Sequence, residues 1–332
     1  MGMRHGASFV LAALLAISGT AHAEDAIVTA SQVTRFADTD PGGRVGALVW
    51  EGGLVLSSSA DTFGGLSGIT FVGGENHLVM VTDRGQFVSG QLLYDEAGLP
   101  SELIGVTIEP IRNSSGAPLP RPFARDAEAL DVIVRDGVPS AVRVGFENLT
   151  RVADFSLDGY VPRGAAREIA IPQWLSDART NATIESVCIA PPASPIAGST
   201  LILTEGVYDE AGRNRAWLLG QRDAGALSYV ASPGTNPSDC AFLPNGDLLV
   251  LERGIALFAF TIKLKRVPAA EIVPGAVMSG EILLESTGGD IDNLEGLAVH
   301  AGPRGETRIT IISDNNFNSW QRNLLLQFSL PQ

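Results

Sequence analysis

The 332-residue chain carries 23 Lys and Arg against 37 Asp and Glu, a formal net charge of −14 at pH 7, and that sign argues against nucleic acid or anionic lipid as a partner. Two cysteines and four histidines are too few soft or imidazole donors for zinc to be the first expectation. The length supports a large core in one domain or two.

Residues 1 to 23, MGMRHGASFVLAALLAISGTAHA, have a short basic start at Arg4, an apolar run from Phe9 to Ile17 and an A-x-A ending. This pattern predicts a secretory signal cut after Ala23; a membrane anchor would need roughly 20 apolar residues. Removal leaves 22 bases against 37 acids, and His77 and His300 as the remaining histidines. The exported chain is expected to be periplasmic or secreted, monomeric and without an integral membrane segment.

From there the chain reads as short runs of Val, Ile, Leu and Phe broken by Gly, Pro, Asn and Asp, the pattern of many short strands. The first is GALVWEGGLVLSSS, Gly46 to Ser59. Five units follow. Each opens on a small or acidic residue before a strand: Ser67, Glu128, Glu185, Asp239 and Glu295. A second strand ends on a further acid 13 to 20 residues later: Asp83, Glu147, Glu205, Glu252 and Asp314. The openings lie 54 to 61 residues apart, a spacing that suits four-stranded blades with long outer loops. The fold expected over residues 24 to 332 is therefore one all-β domain, a β-propeller of five blades with the last closed by the Gly46–Ser59 strand. Six blades is the alternative count, should one unit be degenerate.

In a blade the innermost strand runs from one rim to the other and the second returns antiparallel. Both acid series are therefore expected at one mouth of the central channel. Turn capping by these carboxylates accounts for single members but gives no reason to crowd so many around one opening, where like charges raise one another's pKa. Oxygen donors without histidine or thiolate suit a hard divalent cation, Ca²⁺ first. The expected ligands are Asp83, Glu128, Glu185, Glu295 and Asp314, with Glu128, Glu185, Glu295 and Asp314 also the candidate catalytic carboxylates and Asn293 or Asn315 adding amide oxygens. Arg84 and Arg253 follow the second-strand acids Asp83 and Glu252 and, with Asn316, are candidates for holding an anionic ester; salt bridges to neighbouring acids are the competing role for each arginine. His77 and His300 fall in turns at the other rim, which argues against a Ser-His-Asp triad, and GLSGI at Gly65 leads into a strand rather than the helix of a nucleophile elbow. Counted from the opening acids Glu185 and Asp239, Cys188 and Cys240 share strand parity, so no disulfide is expected.

The stretches FGGLSGITFVGGENHLVMVTDRG (Phe63 to Gly85), RDAEAL (Arg125 to Leu130) and NLEGLAV with ISDNNFNSWQRNLLLQFSL (within Asn293 to Leu330) resemble the phytase-like family of secreted bacterial proteins, the "esterase-like activity of phytase" group. The resemblance implies a β-propeller and hydrolysis of phosphate or other esters, and it transfers no catalytic motif. Three functional classes stay open: a metal-dependent esterase or phosphoesterase acting on a small, anionic ester, a non-catalytic binding or scaffold propeller, and a sugar-lactone hydrolase.

Overall fold

Short runs rich in aliphatic residues between Gly- and Asn-containing turns form the strands, and these assemble into five sheets, antiparallel except where the two-residue strand Val277–Met278 pairs parallel with Gly225–Tyr229. The computed structural model describes residues 23 to 331 apart from 121, 221, 222, 257 and 258; residues 1 to 22 of the expected signal lie outside the described residues.

Blade 1 consists of Leu66–Gly73, His77–Thr82, Gln86–Tyr94 and Pro100–Pro110, and blade 2 of Ala127–Arg135, Val138–Phe146, Arg151–Asp158 and Val161–Ile169. Blade 3 is Ile184–Ile189, Thr200–Tyr208, Asn214–Leu219 and Gly225–Tyr229; blade 4 is Asn236–Phe242, Leu248–Ala256, Ala259–Val267 and Glu281–Thr287. Blade 5 takes Asn293–Ala301, Thr307–Asp314 and Asn323–Ser329 from the C-terminal part, and its fourth strand is Leu48–Ser58. The N-terminal strand thus closes the ring as its sequence suggests. Two earlier segments add what the sequence did not announce: Val28–Val33 extends blade 5, and Glu24–Ala26 extends blade 1. The five inner strands contact one another in a closed circle around the axis.

Each blade buries both faces against its neighbours, so the core is divided into five apolar clusters, one between each adjacent pair of blades. The closing strand is held by more than its ladder. Its Glu51 receives Arg308 Nη2 at 3.1 Å, Arg304 Nη2 at 2.8 Å and Ser329 Oγ at 2.7 Å, with Arg308 fully buried. A buried ion pair of this kind requires such additional hydrogen bonds to offset its desolvation.

A β-bulge interrupts every inner strand at the same level. The residue left unpaired is Ser67 in blade 1, Glu128 in blade 2, Glu185 in blade 3, Ser238 in blade 4 and Glu295 in blade 5. A bulge re-aims the side chain of its extra residue and bends the strand. The ladder also fixes the equivalent positions on the second strands, one residue past the pairs made by Thr82, Phe146, Thr204, Glu252 and Ser313. Those positions are Asp83, Glu147, Glu205, Arg253 and Asp314.

Blade 4 therefore corrects the repeat assignment by one residue at both places. Ser238, not Asp239, is its opening position, and Arg253, not Glu252, stands where the other blades carry an acid. Because strand side chains alternate with period 2, a one-residue offset sends a side chain to the other face. Asp239 is buried and accepts the backbone N–H groups of Leu297 and Cys240, each at 2.7 Å. Glu252 is buried away from the channel, where it receives Tyr229 Oη at 2.6 Å, Thr235 Oγ1 at 2.8 Å and the Lys265 ammonium at 3.3 Å.

The same offset reverses the expectation for the cysteines. Counted from Ser238, Cys240 has the opposite parity to Cys188 counted from Glu185, so the two face each other and form a disulfide between the inner strands of blades 3 and 4, with Cα atoms 6.0 Å apart. The bond closes a loop spanning 52 residues. Replacing both cysteines by serine is expected to lower stability by about 2–4 kcal/mol, the usual effect of such a closure on the unfolded chain, read as a fall in the denaturation midpoint. Equal midpoints for oxidised wild type and the double variant would remove this role.

Candidate metal and ester site

Four of the five bulge residues, Ser238 being the exception, and the five following second-strand positions meet at one mouth of the channel in a cavity of about 400 Å³. Its lining includes Ser67 and Asp83 from blade 1, Glu128 and Glu147 from blade 2, Glu185 and Glu205 from blade 3, Arg253 from blade 4, and Glu295, Asp314 and Asn316 from blade 5. The sequence-predicted acids Asp83, Glu128, Glu185, Glu295 and Asp314 are thus brought together. Asp126, Asn148 and Asn181 also line it. Sequence reasoning passed over Asp126, although its signal was present: it stands two residues before Glu128 at the entry to the strand.

Blade 2 supplies the densest group. Carboxylate oxygens of Asp126, Glu128 and Glu147 lie within 4.8 Å of one another. Asn148 Nδ2 donates to Asp126, and the Thr183 N–H donates to Glu147 Oε1, which orients two of the three. In blade 5, Glu295 Oε1 receives Asn293 Nδ2 at 2.7 Å and Arg253 Nη1 at 3.1 Å, while Arg253 Nη2 lies 3.7 Å from Glu205. Asp314 Oδ1 receives the N–H of Asn316 at 2.6 Å. Asn315 turns away from the cavity's chemistry: its Oδ1 takes the N–H groups of Gly65 and Phe317, both at 3.1 Å, and so ties the last loop to blade 1. Gly65, at φ 61°, is required here, because a Cβ would stand 2.2 Å from Asp83 Oδ1 and 2.4 Å from the Phe317 ring. Arg84 is not among the cavity's lining residues. Its guanidinium stacks on the Phe317 ring, 3.3 Å from the centroid.

Among the described residues eight carboxylates share the cavity with a single arginine, and they cannot all ionise without cost. Burial, reinforced by Asp314, pushes Asp83 up to about 7. Burial likewise carries Glu147 and Glu295 to about 8. Glu128 and Glu185 are driven well above the usual carboxylate range, first by burial and then by their neighbours: Asp126 for Glu128, and Glu147 and Glu128 for Glu185. Glu205 and Asp314 are also raised, chiefly by burial. Burial disfavours the Arg253 cation, but Glu295, Glu185 and Glu205 hold its pKa above the ordinary arginine value.

The cavity fits a hard cation. Its donors are carboxylate and amide oxygens, and Asp83 Oδ1 is a buried oxygen with no hydrogen-bond partner. Among the described residues no imidazole competes: His300 and His77 sit at the far ends of their strands, His300 stacked on Phe71 with centroids 3.6 Å apart and His77 on Tyr160 at 3.8 Å.

Residues 61–317 match the phytase-like family, described as "esterase-like activity of phytase". The chain belongs to this family. Among solved structures, this phytase-like chain is similar to the PQQ-bound form of aldose sugar dehydrogenase from Streptomyces coelicolor, with 13% identity, a TM-score of 0.43, and coverage of 91% of this chain and 98% of that one. It is also similar to the structure of U3-55K, with 11% identity, a TM-score of 0.37, and coverage of 86% and 77% respectively. No curated protein matches the chain.

Proposed function

We propose that this phytase-like propeller is an exported, metal-dependent hydrolase that cleaves a small anionic ester or phosphoester at the acidic mouth. The reading is carried by the convergence of Asp126, Glu128 and Glu147, within 4.8 Å, in a cavity whose one lining cation among the described residues is Arg253. A divalent cation, Ca²⁺ by the all-oxygen donor set, is held by these three, with Asp83, Glu185, Glu295 and Asp314 completing or neighbouring the site. When bound, such a cation would supply polarisation of a phosphoryl or carbonyl oxygen. Arg253 orients the anionic part of the ester by charge-assisted hydrogen bonds, and Asn316, which also lines the cavity, offers an amide to it. As water adds to the ester and the ester bond breaks, Glu295, the carboxylate beside Arg253, takes the proton that water gives up and passes it to the departing alcohol. Cleavage of residues 1–23 delivers the protein, as a monomer, to the periplasm or the medium.

The test is a panel of phosphomonoesters, phosphodiesters, carboxylic esters and lactones offered to chelated protein with and without Ca²⁺. Turnover that appears only with the cation, and that falls at least a hundredfold in Glu147→Gln, is the expected result; a deletion of a single electrostatic stabiliser is commonly worth a factor of about 10²–10³. Turnover indifferent to chelation would refute the metal's role. Ligands that bind and return unchanged would turn the reading toward a binding propeller.

A further inference from the structure

The channel has a second mouth of opposite character. At the end where His300 pairs with Arg308, a cavity of about 880 Å³ opens between the blades, within the roughly 300–1,000 Å³ range of sites for drug-sized molecules. Every blade contributes apolar side chains: Ile69 and Phe71, Val132, Ile189, Phe242 and Val299. Among the described residues no Lys or Arg lines it. His300 presents a neutral ring, its pKa pushed down to about 4 by burial, and its Nε2 is engaged with Thr310 Oγ1 at 2.8 Å.

Three acidic residues among those described line it: Asp136 is exposed, Glu306 is engaged by Arg308 Nε at 2.8 Å, and Asp131 of blade 2 is set into the apolar lining. Its Oδ1 accepts the Val132 N–H at 2.7 Å and Thr70 Oγ1 at 3.4 Å, whereas its Oδ2 accepts only the Ile189 N–H at 2.7 Å among the described residues. Each carboxylate oxygen offers two acceptor positions, so Oδ2 retains one. The absence of lining bases disfavours an anionic guest, and the lining favours a hydrophobic one with a single donor.

We infer that this mouth is a second binding site, distinct from the acidic one, for one apolar organic molecule of drug-like size carrying a hydroxyl or amine donor that Asp131 Oδ2 receives. The pocket's size, its five-sided apolar wall and the open acceptor together define that class. The site stands apart from the ester chemistry, since none of its lining residues lies in the acidic cavity.

The probe is N-phenyl-1-naphthylamine, which is apolar, uncharged and carries one N–H. Titration is expected to show saturable fluorescence enhancement at one site per chain. Val132→Trp and Val299→Trp, both at half-buried wall positions, fill the cavity and are expected to weaken binding at least tenfold, with melting curves confirming that each variant is folded. Glu295→Gln at the other mouth leaves probe affinity unchanged. The N-methylated probe, lacking its donor, binds several-fold more weakly. In crystals of wild-type protein, a brominated probe places its anomalous peak between Val132 and Val299, a result that needs no variant. Absence of saturable binding, native affinity in a folded tryptophan variant, loss of binding in Glu295→Gln, or a bromine peak elsewhere overturns the site. Equal affinity for the methylated probe overturns the part assigned to Asp131.

Discussion

Chelated protein given Ca²⁺ at pH 8 is expected to melt several degrees higher, and Glu147→Gln is expected to lose most of that shift. The force behind the shift is repulsion: among the described residues eight acids share the cavity with Arg253 alone, and Asp83, Glu147 and Glu295 lose their protons as pH passes through about 7 to 8. A cation that binds only the folded chain stabilises it by about 2.7 kcal/mol at a hundredfold excess over Kd, and roughly 2–4 °C accompanies each kcal/mol in a chain of 150–250 residues, less in a longer one. Glutamine at position 147 keeps an oxygen to accept the Thr183 N–H but removes a charge. The chelated variant should therefore melt at or above chelated wild type while responding less to Ca²⁺. These two directions separate a charge effect from simple loss of packing, which would lower the melting point with or without the cation. Absence of a Ca²⁺ shift in wild type, or an undiminished shift in the variant, removes the metal from the account.

Without metal, stability should fall as pH rises from 5 to 9. Asp83 goes from an ordinary value of 3.8 to about 7 on folding, and Glu147 and Glu295 from 4.5 to about 8. In the interval between these values the folded chain holds protons that the unfolded chain has released. Their contribution is complete below the unfolded pKa values and disappears as pH passes through 7 to 8. Each such carboxylate adds about 1.4 kcal/mol per pH unit to the decline. Acids held below their ordinary range, such as Glu252, lowered against the effect of its burial by its Tyr229, Ser232 and Thr235 hydrogen bonds, act in the opposite sense, but only below about pH 4.5. The measurement is the melting temperature in chelator across pH 5–9. Glu295→Gln should give a shallower profile. A flat or rising wild-type profile would show that these carboxylates are not protonated in the folded protein. Because a bound cation displaces the same protons, added Ca²⁺ should oppose the decline most at the alkaline end.

Much of this was legible before any coordinates. Short apolar runs, Gly and Asn turns and the spacing of Ser67, Glu128, Glu185 and Glu295 reveal repeated four-stranded units, since a blade must hide both faces and signals that need as near-continuous apolar runs. An inner strand entered at one rim and a second strand ending there also bring Asp83, Glu147, Glu205 and Asp314 to one mouth. That deduction needs only antiparallel pairing, which is local.

Register across blades was decided by tertiary structure. Blade 4 offers two adjacent candidates at each key place, Ser238 or Asp239 and Arg253 or Glu252, and periodicity ranks an acid no lower than its neighbour. The ladder chooses Ser238 and Arg253, which puts one cation among the acids and turns Asp239 and Glu252 into buried hydrogen-bond acceptors. The bulge responsible is a mismatch between two strands, invisible in either strand alone. The Cys188–Cys240 disulfide follows from that single step, because one residue of offset rotates every side chain of a strand to its other face. The apolar second mouth is likewise a product of the ring: Val132, Phe242 and Val299 read in sequence as ordinary core residues, and only closure of five blades around an axis leaves space between them.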